Sequence, residues 1–272
     1  MNNVTFVILT WNSEKVIKNC LESIYNLKET NAQVVVIDNG SKDNTVKIIE
    51  SFINQTISNK ELELIKSKEN LGTTITRNMG IKKAKEGYNI CILDSDTVIN
   101  DDAINLMIDY LNKNPKCGIV GPRMKDSKGV EQTSARNFPT VTEKFLKVIP
   151  LKSIQKIAND LHTIKNTEGK IIHEADYLMS ACWLLQKGLI DNVGLLDENI
   201  FYAPEDAEYC IRVWKSGYSV VYNGEANIIH EWQRISKQKF FSKMNKVHLQ
   251  GLYYMFKKHN YWFSTKRLKN KF

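Results

Sequence analysis

Between residues 4 and 122, five short apolar runs alternate with amphipathic stretches, and that alternation restricts the fold more than any other feature of the chain. VTFVILT (4–10), QVVVID (33–38), ELELIK (61–66), NICILD (89–94) and KCGIVGP (116–122) have the length and composition of strands. The segments between them place apolar residues at helical spacing. Val16, Ile17, Cys20, Leu21 and Ile24 form one such face, with Asn12 or Ser13 as its cap, and Val46, Ile49 and Ile53 form another. Residues 73–85 and 101–114 supply two more helices, the second with acids in its first turn, where the helix dipole favours them. QVVVID is apolar almost without a break, which predicts a strand covered on both faces. The whole pattern predicts an α/β fold, a Rossmann-like, open and mostly parallel sheet with right-handed crossovers and flanking helices.

The second half is less regular. KFLKVIPLKSIQKIANDL (144–161) is amphipathic but the pattern does not place it in the fold. ADYLMSACWLLQ (175–186) is an apolar segment, and GLLDENIFYAPED (194–206) reads as a loop leading into a helix over 204–215. That helix has a core face of Ala207, Cys210, Ile211 and Trp214. SVVYNGEANIIHEW (219–232) reads as a strand.

Ligands of open α/β sheets bind outside the carboxyl ends of the strands. Three polar clusters fall at such ends: Thr10-Trp11-Asn12, Asp38-Asn39-Gly40 and Asp94-Ser95-Asp96. Side chains alternate along a strand, so Asp94 and Asp96 are expected on one side with Ser95 opposite. Two convergent carboxylates need a cation, a shared proton or water. A hard divalent cation takes carboxylate oxygens and readily adds those of a phosphate. Asp-x-Asp after a strand is also a common solvated turn, and Asn39-Gly40 is a strong turn signal in its own right. The convergence of three clusters on one rim favours a site.

The stretches LTWNSEKVIKNCLESI, VVVIDNGSKDNT, ENLGTTITRNMGIKKAK, ICILDSDTVI, SAC, FYAPEDAEYCIRVWKSGY and IIHEW occur in this order over roughly residues 5–232. Together they resemble the family-2 glycosyltransferases of GT-A fold, in particular soluble bacterial enzymes of surface-polysaccharide synthesis, rhamnosyltransferases among them. The resemblance implies an inverting transferase that takes its sugar from a nucleotide-diphosphate sugar. It implies Mg²⁺ or Mn²⁺ at Asp96 and His230, and Asp94 on the ribose side with Ser95 beside it. Nucleotide contacts are implied at Thr10, Asn12, Asp38 and Gly40, where a glycine lets backbone approach a ligand. Asn70 and Arg77 are further implied donor contacts, Arg77 either against phosphate or as a cap on an acidic surface. Glu205-Asp206 is the implied acid pair that supplies the base. Asp206, one turn before Cys210, is taken as the base and Glu205 as its alternate. Ser180, Trp183 and Trp232 are implied at the acceptor. The implied acceptor is a glycan or a lipid-linked glycan.

The net charge of +8 belongs to one end of the chain, because residues 233–272 hold 11 Lys/Arg and no acid. Aromatics interleave with these lysines: Phe240, Phe241, Tyr253, Tyr254, Phe256, Tyr261, Trp262 and Phe263. An anionic inner membrane surface is the expected partner of this basic helical tail. Packing on the catalytic domain or on a second subunit, as a homodimer, is the other reading. Nucleic acid is not expected, since the rim of acids would repel it. The expected organisation is a GT-A domain over 1–232, with a nucleotide half (1–122) and an acceptor half (123–232), followed by the tail. The five scattered cysteines read as reduced core residues, and no run of eighteen apolar residues is present, so a cytoplasmic protein at the membrane's inner face is expected. A sugar-1-phosphate nucleotidyltransferase would share the sheet, but no Gly-rich loop with Arg or Lys follows the first strand. A scaffold that binds nucleotide without turning it over is the other alternative.

Overall fold

The computed structural model describes residues 2–55, 60–164, 169–231 and 243–269. The first half runs β1 (Asn2–Thr10), α1 (Ile17–Tyr25), β2 (Thr30–Asp38), α2 (Thr45–Gln55), β3 (Glu61–Lys66), α3 (Thr73–Ile81), β4 (Asn89–Asp94), β5 (Thr97–Val98), α4 (Asp101–Lys113) and β6 (Cys117–Lys125). Then come β7 (Glu131–Gln132), β8 (Ala135–Arg136), α5 (Val141–Val148), α6 (Lys152–His162), β9 (Ile172–Glu174), β10 (Tyr177–Leu178) and β11 (Cys182–Leu185). The chain continues through α7 (Leu189–Val193), α8 (Glu205–Lys215), β12 (Ser219–His230) and α9 (Lys243–His259).

One ten-stranded sheet organises these elements in the order β3-β2-β1-β4-β11-β6-β12-β5, with β7 on β6 and β9 on β12. The first four strands are parallel to one another, as the apolar runs and intervening helices require. β11 departs from the expectation. It comes from the second half of the chain, yet it sits antiparallel between β4 and β6. Both of its faces are covered, so all four residues of CWLL are buried. Phe6, Ile8, Val34 and Val36 face one layer, formed by α1 and α4 through Leu21, Ile24, Ile104 and Met107. Val7, Val35, Ile37 and Ile92 face the other, formed by α3 and α8 through Ile81, Cys210 and Ile211.

The described part of the basic tail belongs to this second layer. α9 buries Leu252, Met255 and Phe256 in the same cluster as Cys210 and Ile211. At about 1.5–3 kcal/mol for each such side chain, this packing holds the helix firmly. Lys258 adds contacts to Asp197 (2.5 Å) and Glu208 (2.7 Å). Asn12 and Ser13 do not cap α1. Its N-cap is Val16 without a side-chain bond, while Asn12 accepts from Lys42 N and Ser13 meets Ser95. Both residues are turned toward the rim and away from the helix.

Candidate active site

β4 delivers Asp94 to the carboxyl edge of the sheet, and a tight turn carries Asp96 into β5. β5 pairs antiparallel with the end of β12, His230 opposite Thr97, and this brings the histidine to the aspartates. Ligand atoms of Asp94, Asp96 and His230 lie within 4.8 Å of one another, the one such group among the described residues. Gln132 fixes the state of the imidazole. Its amide nitrogen donates to His230 O at 2.8 Å, which aims the amide oxygen at His230 Nδ1, 2.6 Å away. Nδ1 must therefore carry hydrogen, and Nε2 lies 3.3 Å from Asp96 Oδ1, to which it donates when protonated and beside which its lone pair is open to a cation when neutral. An oriented imidazole beside two carboxylates is a fitting donor set for a divalent cation. Without one, burial opposes the imidazolium, but the hydrogen bond and charge of Asp96 prevail and raise the His230 pKa. Burial, reinforced by Asp96 and opposed by Arg77, raises that of Asp94.

Arg77 lines the cavity, but its guanidinium is committed to the protein's own acids. It is 3% exposed on α3, a helix buried around most of its circumference. Its guanidinium bonds Asp94 Oδ1 (2.7 Å), Ser180 Oγ (2.7 Å) and Glu205 Oε1 (3.1 Å). Ser180 in turn donates to Glu205 Oε1 at 3.0 Å. Removing one partner of a buried ion pair strands the other charge, at a cost of about 3–5 kcal/mol. Arg77→Met is therefore expected to lose about 3 kcal/mol of stability, because it removes the cation from both Glu205 and Asp94 and leaves Glu205 only the bond from Ser180. Urea unfolding monitored by circular dichroism measures this, and an unchanged midpoint would show that the network contributes little.

Glu205 and Asp206 open α8 and diverge. Both line a cavity of about 380 Å³ together with Asp94, Asp96 and His230, but Glu205 also reaches inward through Oε1 to Arg77 and Ser180. Burial raises the pKa of both carboxyls; in Glu205 the charge of Asp206 adds to it, and in Asp206 Arg136 leads the opposing charges.

On the nucleotide side, Asp38 is buried, with Oδ2 accepting from Ser41 N at 3.1 Å. Asp38 Oδ1 and Thr10 Oγ1 are buried without a hydrogen-bond partner. Gly40 does have a positive φ of 76°, but the backbone it admits is that of Glu69, whose carbonyl carbon would lie 2.7 Å from a Cβ. Its freedom serves the close approach of the chain's own loop. Asn70 is likewise spent on that loop, accepting from Asn39 Nδ2 and Gly72 N.

Trp183 cannot touch an acceptor. It is fully buried on β11, donates to Leu178 O and stacks on Tyr209. Trp232 lies outside the described residues. The aromatics at the cavity are Trp11 and Tyr202, 39% and 42% exposed. Trp11 stands between two polar residues at a strand end, a signal that was readable in the sequence. Arg136, which also lines the cavity, and Gln132, which orients His230, come from short strands that no periodicity marks.

Residues 5–172 match the profile of glycosyl transferase family 2. A stretch of 132 residues is 33% identical to poly-beta-1,6-N-acetyl-D-glucosamine synthase of Staphylococcus epidermidis, covering 48% of this chain and 31% of that protein. The chain thus spans about a third of the length of the curated relatives it matches. Among solved structures, S. aureus TarS 1-349 in complex with UDP-GlcNAc superposes with a TM-score of 0.55 at 17% identity, over 98% of this chain and 74% of that one. The mannosyltransferase PcManGT of Pyrobaculum calidifontis, in complex with GDP-Man and Mn²⁺, gives 0.63 at 17% identity, over 94% and 64%. These likenesses establish the GT-A-type fold. With the family profile spanning well over half of its 272 residues, the chain belongs to glycosyl transferase family 2.

Proposed function

We propose that the protein is an inverting glycosyltransferase. It moves a sugar from a nucleotide-diphosphate sugar to a hydroxyl of a glycan or lipid-linked acceptor in bacterial surface-polysaccharide synthesis, at the cytoplasmic face of the membrane. One observation carries this reading: a cation donor set and the paired carboxyls of Glu205 and Asp206 share one cavity at the carboxyl edge of the sheet. The similar proteins whose structures hold UDP-GlcNAc, or GDP-Man with Mn²⁺, support a nucleotide sugar as the ligand.

The uncommitted Oδ1 of Asp38 accepts from a base N–H, and Thr10 and Asn12 flank it. Asp94, pinned by Arg77, faces the ribose, and Trp11 and Tyr202 flank the sugar. Asp96 and His230 would hold Mg²⁺ or Mn²⁺, which neutralises charge on a departing diphosphate. Asp206 accepts the proton of the acceptor hydroxyl as that oxygen bonds the anomeric carbon. The bond from that carbon to the diphosphate oxygen breaks, and its electron pair leaves with the diphosphate. Ser180 and Glu205 act behind this pair by holding Arg77. One displacement at the anomeric carbon inverts its configuration. Proton NMR of the first product from nucleotide-linked rhamnose, GlcNAc or mannose should show the anomer opposite to the donor's. A retained anomer contradicts the single displacement.

A further inference from the structure

Away from the site, the large apolar side chains left in solvent concentrate on one face. Phe145, Val148, Leu151, Ile157 and Leu161 are between 47% and 67% exposed. They recur every three to six residues along the α5–α6 hairpin, and along α6 the only fully buried residue is Ala158. An amphipathic helix with its apolar stripe in water lacks the partner for which its pattern is suited. α9 extends the same face with the exposed series Lys246, Leu249, Tyr253 and Lys257, each about one turn from the next. The two parts are joined, since Val141 N donates to Trp262 O at 2.8 Å and the Tyr253 and Trp262 rings lie 5.8 Å apart.

Charge selects the occupant. Residues 140–162 and 243–269 carry eleven Lys/Arg against two acids, Glu143 and Asp160. Lys144 and Lys147 pair with Glu143, Lys258 with Asp197 and Glu208, and Lys269 with Asp176, but Lys152, Lys156, Lys246 and Lys257 stand exposed on this face. A second copy of the chain would bring two such basic faces together, and their repulsion opposes self-association. Nucleic acid would satisfy the lysines but gives valine, leucine and isoleucine side chains nothing to stack on. A bilayer with anionic headgroups satisfies both at once.

We propose that α5, α6 and the outer side of α9 form a docking surface for an anionic lipid bilayer. Phe145, Val148, Leu151 and Leu161 enter the headgroup–acyl boundary, and the lysines meet the headgroups. The contact is peripheral, because no helix among the described residues is long and apolar enough to cross a membrane. α9 ties this surface to the catalytic loop. Gly251 packs so closely on Ala203 that a Cβ there would collide with the Ala203 carbonyl, three residues before Asp206. Docking would therefore hold the Asp206 side of the cavity close to the bilayer. Use of a lipid-linked acceptor rests on the proposed transferase function, but the docking itself does not.

The test is co-sedimentation of the full chain, without nucleotide, with vesicles of phosphatidylcholine alone or with about one-third phosphatidylglycerol. The protein should bind the anionic vesicles and stay largely free of the neutral ones. The triple variant Phe145→Ser, Val148→Ser, Leu151→Ser should lower the partition at least ~10-fold, given the apolar area it withdraws. Lys152→Gln with Lys156→Gln, both on exposed positions that leave the core untouched, should lower it too and flatten its salt dependence. Should the triple variant fail to fold, judged by its circular dichroism, the lysine pair decides. Absence of wild-type binding to anionic vesicles overturns the proposal. So does unchanged partition in the folded variants, or a lipid-free dimer that the same substitutions dissociate.

Discussion

Asp206→Asn is expected to fold, to bind a nucleoside diphosphate as the wild type does, and to lose glycosyl transfer by at least ~10²-fold, the lower range for removal of a general base. The expectation follows from how the two acids of α8 divide. Glu205 Oε1 is engaged by both Arg77 and Ser180, which ties this carboxylate to the buried network even though it also lines the cavity. Asp206 lines the cavity, with Oδ1 accepting from Ala207 N at 2.8 Å and its other oxygen available. Burial raises its pKa, which makes it a better proton acceptor than an exposed aspartate. The sign of the pH effect follows. A base must be ionised to accept a proton, so kcat should fall as pH drops through that raised pKa, and the acid limb should vanish in Asp206→Asn. Glu205→Gln keeps its shape and can still bond Arg77, so it should weaken donor binding and stability more than the chemical step. A dead Glu205→Gln beside an active Asp206→Asn would reverse the roles.

The second large effect lies at the cation site. Asp96→Ala removes one of two carboxylates and the partner of His230 Nε2. Removal even of a hydrogen-bond partner of a ligand typically costs 10–100-fold in metal affinity, and removal of the ligand should cost at least that. Calorimetry should show that Mn²⁺ tightens nucleoside diphosphate binding to the wild type, and that EDTA or Asp96→Ala abolishes the increment. Gln132→Leu should give a smaller loss of the same kind, since it frees the imidazole to turn. Equal affinity with and without Mn²⁺ in the wild type would remove the cation from the account.

Much of this arrangement was legible before any coordinates. The four parallel strands announced themselves because burial on both faces forces continuous apolar runs. The core face of α8 did so because a helix has one period. Asp94, Asp96 and His230 were readable as candidates, but their meeting depends on the pairing of β5 with β12, which no local pattern encodes. Trp183 was misplaced because ACWLL reads the same whether its strand borders a cavity or lies in the middle of the sheet. The pairing of Arg77 with acids had a signal in the sequence. TTITRNMGI has small or apolar residues all round and no solvated face, so its single charge had to be paired inside. The α5–α6 hairpin could not be placed, because its apolar side chains stay in solvent instead of joining the core, so the pattern names no neighbour.

The most direct test of the central claim is turnover itself. Wild-type protein and Asp206→Asn would be incubated with Mn²⁺ and a panel of nucleotide sugars, and release of nucleoside diphosphate would be followed by chromatography. The account predicts that the wild type consumes at least one donor, that EDTA stops it, and that Asp206→Asn binds that donor without consuming it. Binding of donors by the wild type with no turnover of any of them, in the presence of Mn²⁺ and candidate glycan acceptors, would show a nucleotide-binding scaffold instead of a transferase.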